Sequence, residues 1–222
     1  LGGTEKQQIN KINGMDSPCL DIKLYVLKDK TQCLPQLKNK NIAVEICNIN
    51  SFKDVGALYR FVSDIKKFSP DIIHSQMYNA NILVRFLKIV LPQCKIINHY
   101  HGMSQWMSKP KLYLDKTTSF LVDKFIVVSQ KSFDLRLQRE GYPMDKMLLL
   151  FNSVDLKPLH ETNVKLTDGK QIVIGMASRL IPLKNIAGAI FMTAELMKKG
   201  FDLRLVVAGD GPEKEKLIKY SE

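Results

Sequence analysis

Residues 95–102 read KIINHYHG, an apolar run that ends in a polar His–Gly pair. Its length and its β-branched content are typical of a strand, so we predict a strand over Lys95–Tyr100. Seven further runs of this kind occur along the chain, and longer amphipathic stretches separate them. This alternation is typical of βαβ units, whose strands are parallel. The sequence therefore predicts an α/β protein.

The predicted elements cover most of the chain. The other strands are Ile22–Leu27, Ile42–Ile46, Asp71–His74, Lys124–Val128, Met147–Phe151, Ile172–Ala177 and Leu203–Ala208. The helices are Glu5–Asn13, Asp54–Phe68, Ala80–Val90, Leu112–Val122, Lys131–Arg139, Ile186–Lys199 and Glu213–Tyr220. In Asp54–Phe68, three- and four-residue spacing puts one set of apolar side chains on a single face: Val55, Leu58, Phe61, Val62 and Ile65. Gly141 and Gly200 are the predicted helix stops.

A polar stretch divides the chain into two predicted domains. Residues 155–170 contain Pro158 and Gly169 and show no sustained periodicity, which is typical of a linker. We place an N-terminal domain at residues 1–158, the linker at 159–170 and a second domain at 171–222. The second domain has fewer strands than a covered parallel sheet usually has, and no strand precedes the first helix. We therefore expect both ends to be incomplete.

The positive charge is concentrated in the first domain. The formal net charge is +11; the first 160 residues hold 23 basic and 14 acidic residues, and the remainder carries +2. Such a surface suits an anionic membrane, an acidic glycan or nucleic acid, although a solvated lysine-rich surface explains it equally well. No RNA-binding aromatic motif is present, so we expect no nucleic-acid partner.

Composition indicates a cytoplasmic protein without a metal site. The four cysteines form no Cys-x-x-Cys pair, and no histidine cluster completes a set of metal ligands. No apolar run reaches the roughly 18 residues that span a bilayer, and no signal peptide is visible. We expect a location in the cytoplasm, with peripheral contact at the inner face of the membrane as an extension of that hypothesis.

The loops that follow the predicted strands carry the candidate binding residues, because ligands of open α/β sheets bind beyond the carboxyl ends of the strands. Gly2 and Gly3 precede a helix, where backbone amides favour an anion, or they form an ordinary turn. His101 could contact a sugar hydroxyl or a phosphate oxygen, or be structural. His99, two residues earlier, should point to the same side of the strand.

The second domain offers two cations and a glycine-rich loop. Arg179 and Lys184 share one loop, where they could converge on a diphosphate and stabilise the charge of a leaving group. The alternative is a pair of exposed cations beside a proline turn. Gly209, Asp210 and Gly211 allow close approach of a ligand or form a tight turn into a helix. Asn152 fits best as a turn that opens the linker.

In their order along the chain, these segments resemble the retaining glycosyltransferases of the group 1, or family-four, type with the GT-B fold. The matching segments are Gly2-Gly3-Thr4-Glu5, Pro70–His74, Asn98–Gly102, Lys124–Ser129, Phe151–Asp155 with Ser153 in place of glycine, Gly175–Arg179 with Lys184-Asn185, and Val206–Pro212. The resemblance implies two Rossmann-like domains, the first on the acceptor side and the second, here incomplete, on the nucleotide-sugar side.

The resemblance also implies roles for the candidate residues. Arg179 and Lys184 would hold the donor diphosphate, Gly3 would contact it through the backbone, and His101 would lie by the transferred sugar. The nucleotide side would be lined by Gly209 to Gly211, and His99, Ser129 and Asn152 are secondary candidates. The donor would be a UDP- or GDP-sugar and the acceptor a polysaccharide or a lipid-linked glycan. The family usually needs no cofactor and no metal.

One departure from the family pattern limits the expected activity. The family's Glu-x7-Glu element does not occur before Glu222, and Glu213 and Glu215 have the wrong spacing to replace it. We therefore expect the 222-residue chain to be weakly active or inactive by itself. Two alternatives stay open: a non-catalytic basic Rossmann-like binding or regulatory module, and a nucleotide-sugar epimerase of the same architecture. A dinucleotide dehydrogenase is disfavoured because no Gly-x-Gly-x-x-Gly follows a strand.

Overall fold

The structure is a computed structural model that describes residues 3–15, 17–28, 31–39, 41–102, 107–153 and 171–221. The chain divides into two compact units, Leu1–Asp155 and Leu156–Glu222. The predicted linker at 159–170 lies outside the described residues.

The fold is α/β with parallel sheets, as the sequence predicts. The strands are β1 Lys23–Val26, β2 Ala43–Ile46, β3 Ile72–Gln76, β4 Lys95–Tyr100, β5 Lys124–Val127, β6 Met147–Leu149, β7 Ile172–Ala177 and β8 Leu203–Ala208. The helices are α1 Gly3–Gly14, α2 Val55–Phe68, α3 Tyr78–Arg85, α4 Leu87–Val90, α5 Lys109–Thr117, α6 Gln130–Leu135, α7 Ile186–Lys198 and α8 Lys214–Ser221. All eight predicted strands are confirmed, with ends shifted by two residues or fewer.

Every strand pairing in the described residues is parallel. Strands β3, β4, β5 and β6 form a four-stranded sheet in that order, whereas β1 pairs with β2 and β7 pairs with β8. Parallel neighbours need crossover connections. Helices lie in the connections within the four-stranded sheet and between β7 and β8. Because all four strands of the central sheet run in one direction, their carboxyl ends lie along a single edge.

Helix α2 packs into the core of the first unit through part of its predicted apolar face. The carboxylate of Asp54 accepts a hydrogen bond from the backbone of Ala57 and so caps the helix, which ends at Ser69 in a left-handed conformation. Phe61 and Ile65 are buried in the core. Val55, at the amino end of this face, is 74% exposed and adds little to the core.

Three predicted helices are interrupted or end earlier than the sequence suggests. The helix predicted over Ala80–Val90 is divided at Phe86 into α3 and α4. Helix α5 stops at Thr117, because the hydroxyls of Thr117 and Thr118 hydrogen-bond to preceding carbonyls in competition with the helical pattern. Helix α6 passes into a π-helical turn, Arg136–Glu140, and stops at Gly141, whose φ is +69°.

A buried ionic network links the central sheet to the helices packed on one of its faces. The guanidinium of Arg85 donates to Oδ1 of Asp115 at 2.7 Å and to the hydroxyl of Tyr100 at 2.7 Å. The Tyr142 hydroxyl donates to Oδ2 of Asp115 at 2.5 Å. Arg136 pairs with Glu140 at 2.7 Å within the π-helical turn. Asp115, Arg85, Arg136 and Glu140 are all almost fully buried, so two positive and two negative charges neutralise one another inside the unit.

The second unit has a small core around Leu180, Ile186 and Leu217. Its predicted helix stop is confirmed, since Gly200 follows α7 with φ +92°. Among the described residues of the whole chain, no helix is both long enough and apolar enough to cross a membrane.

Candidate functional site

The alternation of side chains along β4 sends its polar residues to two faces of the sheet. Asn98 and Tyr100 point into the buried network around Arg85. His99 and His101 take the opposite side, as strand geometry requires, and their rings stack with centroids 4.3 Å apart. The prediction that these two histidines share a side is confirmed.

Strand β3 adds His74 and Gln76 to the same face at the carboxyl edge of the sheet. Gln76 lies opposite His99 in the parallel register. Nε2 of His74 is 3.2 Å from Nδ1 of His99, and Nε2 of His101 is 3.0 Å from Oε1 of Gln76. Two neighbouring strands therefore bring three imidazoles and one amide together. We call His74, Gln76, His99 and His101 the histidine cluster.

Helix α1 supplies two further polar groups to the histidine cluster. Ile9 and Ile12 bury one side of this helix, and Gln8 and Lys11 are half-buried beside them. The ammonium of Lys11 lies 3.2 Å from Nδ1 of His99, and the Gln8 side-chain oxygen accepts a hydrogen bond from the amide of Gln76. Helix α1 thus contacts one polar side chain on each strand, Gln76 on β3 and His99 on β4.

Burial and the nearby ammonium keep the three histidines uncharged at neutral pH. Burial lowers the pKa of His74 to about 4, that of His99 to about 3 and that of His101 to about 4. The charge of Lys11 lowers all three pKa values further, and the carboxylate of Glu5 opposes it only at His101. Neutral imidazoles present one donor and one acceptor each, which suits hydroxyl-rich ligands.

His99 is the most enclosed member of the histidine cluster. An ammonium can only donate, so Nδ1 of His99 accepts from Lys11 and Nε2 carries the proton. The ring is fully buried, and its Nε2 has no hydrogen-bond partner among the described residues. His99 therefore acts on its surroundings through ring stacking and the bond from Lys11.

The other predicted residues of the first unit occupy separate positions. Gly3 begins α1 with open space around its Cα, whereas Gly2 lies outside the described residues. The hydroxyl of Ser129 accepts from the backbone of Ser132 and caps α6, which gives it a structural role. Asn152 is exposed beyond β6.

In the second unit, the two predicted cations lie in the loop that follows β7. Arg179 and Lys184 are both exposed, and neither forms an ion pair or a side-chain hydrogen bond with any described residue. Lys184 ends a short 3-10 turn, Pro182–Lys184, which leads into α7. Both cations are therefore free to bind an anion.

The loops after β7 and β8 are locked together through their backbones. Leu180 donates its N–H to the carbonyl of Asp210, and its own carbonyl accepts from the backbone of Glu213. A side chain on Gly209 would overlap the carbonyl oxygen of Ser178, and one on Gly211 would overlap that of Leu180. The two glycines are thus required for close contact between the loops, a structural role that accompanies the predicted binding role.

Sequence reasoning did not assign Gln8, Lys11, His74 or Gln76 to a site. His74 and Gln76 carried a usable signal, because they alternate at the end of a predicted strand next to the strand of His99. Lys11 and Gln8 carried none, since helix α1 meets the sheet only through tertiary packing. In the described residues, no group of three or more His, Cys, Asp or Glu side chains could hold a metal ion.

The family match and the fold place the chain in one class of protein, the glycosyltransferases of GT-B type. Residues 34–158 match the family described as Glycosyltransferase Family 4, and this match covers more than half of the chain. The chain belongs to that family. No curated protein sequence matches it significantly.

Solved structures support the same fold. The chain is similar to HepE from Anabaena in complex with UDP and glucose, with a TM-score of 0.72, 18% identity and coverage of 99% of this chain and 61% of HepE. A second HepE structure, with UDP, gives a TM-score of 0.73 at 17% identity, covering 99% and 62% of the two chains. TarM from S. aureus, in complex with fondaparinux, alpha-GlcNAc-glycerol and UDP, has a TM-score of 0.50, 14% identity and coverage of 74% and 34%. The chain spans 61% of the length of HepE.

Proposed function

We propose that this protein transfers a sugar from a nucleotide-sugar donor to a glycan or lipid-linked acceptor, with retention of the anomeric configuration. The bond between the anomeric carbon and the donor diphosphate breaks. A bond to the oxygen of an acceptor hydroxyl forms on the same face of the sugar, and the proton of that hydroxyl passes to the departing diphosphate. No cofactor beyond the nucleotide sugar takes part, and the diphosphate is held by protein cations.

The observation that carries this proposal is the histidine cluster at the carboxyl edge of the central sheet. His101, whose pKa burial lowers to about 4, offers a hydrogen bond without a charge. His74 and His99, with pKa values of about 4 and 3, are uncharged beside it. His101 is half-buried, so part of its ring is open to a ligand. In a member of Glycosyltransferase Family 4, such a group is suited to hold a hydroxyl of the transferred sugar.

The loop after β7 supplies the groups for the diphosphate. Arg179 and Lys184 have no competing carboxylate partner among the described residues, so their charges are available to phosphate oxygens. They stabilise the negative charge that grows on the departing diphosphate. The backbone of Gly209, Asp210 and Gly211 in the same unit lines the nucleotide side.

UDP is the first nucleotide to test. HepE was solved with UDP and glucose, and TarM with UDP, although the identities of 18% and 14% establish the fold alone. A GDP-sugar is the alternative donor. The basic excess of the first 160 residues is compatible with an acidic glycan or with peripheral contact at an anionic membrane.

Calorimetric titration with UDP, GDP and their glucose or mannose conjugates tests the donor site. Arg179→Ala and Lys184→Ala should each weaken nucleotide binding about tenfold, because each removes a charge-assisted hydrogen bond. The matched control is Arg204→Ala, an exposed cation near the amino end of β8. Equal affinities in all variants, or no binding of any nucleotide, would count against the proposal. Product analysis without acceptor separates transfer from epimerisation.

A further inference from the structure

A short chain of hydrogen bonds ends on His101. The amide N–H of Gln76 donates to the side-chain oxygen of Gln8, which turns the Gln76 oxygen toward the imidazole. Nε2 of His101 lies 3.0 Å from that oxygen. Helix α1 therefore sets which end of the Gln76 amide faces His101.

The direction of this chain decides the protonation of the ring. An amide oxygen can only accept, so Nε2 of His101 carries the proton. A neutral imidazole has a single N–H, which leaves Nδ1 with a lone pair. Neutrality is supported by burial, which lowers the pKa of His101 to about 4.

The lone pair of Nδ1 is accessible. This atom has no hydrogen-bond partner among the described residues, and it is not one of the polar atoms enclosed without a partner. Apart from its chain neighbours, no described residue lies within 4 Å of the position that a Cβ on the next residue, Gly102, would take. A ligand at the carboxyl end of β4 therefore meets Nδ1 as an unoccupied acceptor.

The charged and titratable groups around the ring leave that acceptor free. His99 stacks on His101, while the ammonium of Lys11 bonds to His99. Glu5, in the first turn of α1, acts on His101 only through its charge. None of these groups donates to Nδ1, so among the described residues this atom stays available to a donor from a ligand.

We propose that Gln76 is a positioning residue that holds His101 in the Nε2–H form, so that Nδ1 accepts a hydrogen bond from a hydroxyl of the donor sugar. This inference rests on the proposed glycosyltransferase function. It narrows the ligand chemistry: an acceptor atom attracts a hydroxyl and repels the oxygen of a phosphate or a carboxylate. A sugar that lacks this hydroxyl, or carries fluorine in its place, should lose the contact.

Nitrogen NMR tests, without any ligand, whether His101 is in the Nε2–H form. The full chain, labelled with ¹⁵N-histidine, has only four histidines, and single substitutions assign them. At neutral pH we expect a protonated Nε2 and an unprotonated Nδ1 for His101. A protonated Nδ1 would show that the Gln8–Gln76 pair is oriented the other way and would overturn the inference.

Two variants of Gln76 test its role. Gln76→Leu removes the acceptor, so His101 should become a mixture of both tautomers. Gln76→Glu keeps an acceptor oxygen and should retain the Nε2–H form. An unchanged His101 spectrum in Gln76→Leu would overturn the positioning role. If Gln76→Leu fails to fold, Gln76→Glu carries the test, and loss of the Nε2–H form in that variant would overturn the positioning role.

Titration with UDP and with UDP-glucose tests the proposed hydrogen bond between a sugar hydroxyl and Nδ1 of His101. The Nδ1 resonance of His101 should shift with UDP-glucose and stay unchanged with UDP. Gln76→Leu should lose about tenfold in affinity for UDP-glucose, while its affinity for UDP stays constant. Binding of UDP-glucose without a change at Nδ1 overturns the inference and leaves the proposed function intact. If neither UDP nor GDP conjugates bind, the proposed function fails, and the hydroxyl contact fails with it.

Discussion

The imidazole rings of His99 and His101 stack with their centroids 4.3 Å apart and an interplanar angle of 16°. Stacking at this distance is compatible with two neutral rings and unfavourable for two protonated ones. His74 stacks on His99 at 5.3 Å, so the same condition extends to a third ring. The geometry of the histidine cluster is therefore tied to its charge, and its charge to pH.

Acidification should destabilise the first unit before carboxylates titrate. Unfolded histidines bind protons near pH 6.5, whereas the folded ones have pKa values of about 4, 3 and 4. Between these limits the unfolded state holds more protons, so the free energy of unfolding falls as pH decreases from about 6.5 to about 4. Above that window the histidines contribute no pH dependence. Urea unfolding followed by circular dichroism at several pH values measures the slope.

His99→Gln provides the comparison for this experiment. The variant removes the ring whose pKa is lowered furthest, so its stability should depend less steeply on pH within the same window. Identical slopes for the variant and the wild-type protein would contradict the assignment of low pKa values to the histidine cluster.

Removal of the Lys11 charge should raise the pKa values of the three histidines. The ammonium lies 3.2 Å from Nδ1 of His99 and lowers the pKa of each ring. In Lys11→Met, burial still keeps the values below the ordinary 6.5. Lys6→Met, an exposed lysine on the same helix, is the matched control. A histidine NMR titration that shows equal shifts in both variants would exclude a specific effect of Lys11.

Asp115→Asn should be the most damaging substitution of an acidic residue in the first unit. It leaves Arg85 buried without its ion pair and weakens the bond from Tyr142, at a cost of about 3–5 kcal/mol in the free energy of unfolding. Glu195→Gln breaks an exposed pair with Lys198 and should leave the free energy of unfolding nearly unchanged. Comparable losses in denaturant unfolding would show that burial of the network contributes little.

Gly209→Ala should destabilise the second unit by about 1–3 kcal/mol, because the new methyl group forces the loop away from Ser178. Gly175→Ala places the same methyl group in open space within β7 and should leave stability unchanged or slightly higher. Thermal unfolding and limited proteolysis of the second unit compare the two. A neutral Gly209→Ala variant would mean that the loop contact is not rigid.

The strands could be predicted because each is a short apolar run, and such runs can be recognised in the sequence without knowledge of the tertiary structure. The helix ends could not. Helix α5 stops where the hydroxyls of Thr117 and Thr118 turn back to carbonyls. The π-helical turn at Arg136–Glu140 encloses an ion pair that serves the buried network. Both endings depend on hydrogen bonds and ion pairs of side chains with groups three or four residues away, and hydrophobic periodicity carries no information about them.

The candidate site was predictable only in part. His99 and His101 share a side because a strand alternates, and this follows from sequence spacing. Lys11 and Gln8 reach the cluster from a helix that is far away along the chain, so only packing reveals them. The functional roles of Arg179 and Lys184 stay predictions, which the nucleotide titrations described above will test.

The backbone lock between Leu180 and the loop of Asp210 has a consequence for how this part of the protein can change. The two loops hold each other in place by backbone hydrogen bonds. The N–H of Leu180 donates to the carbonyl of Asp210, and the N–H of Glu213 donates to the carbonyl of Leu180. An insertion or deletion in one loop would displace every one of these bonds unless the other loop changed length as well. Natural variants and engineered hybrids should therefore exchange the two loops as a matched pair, and single-loop grafts should fail to assemble.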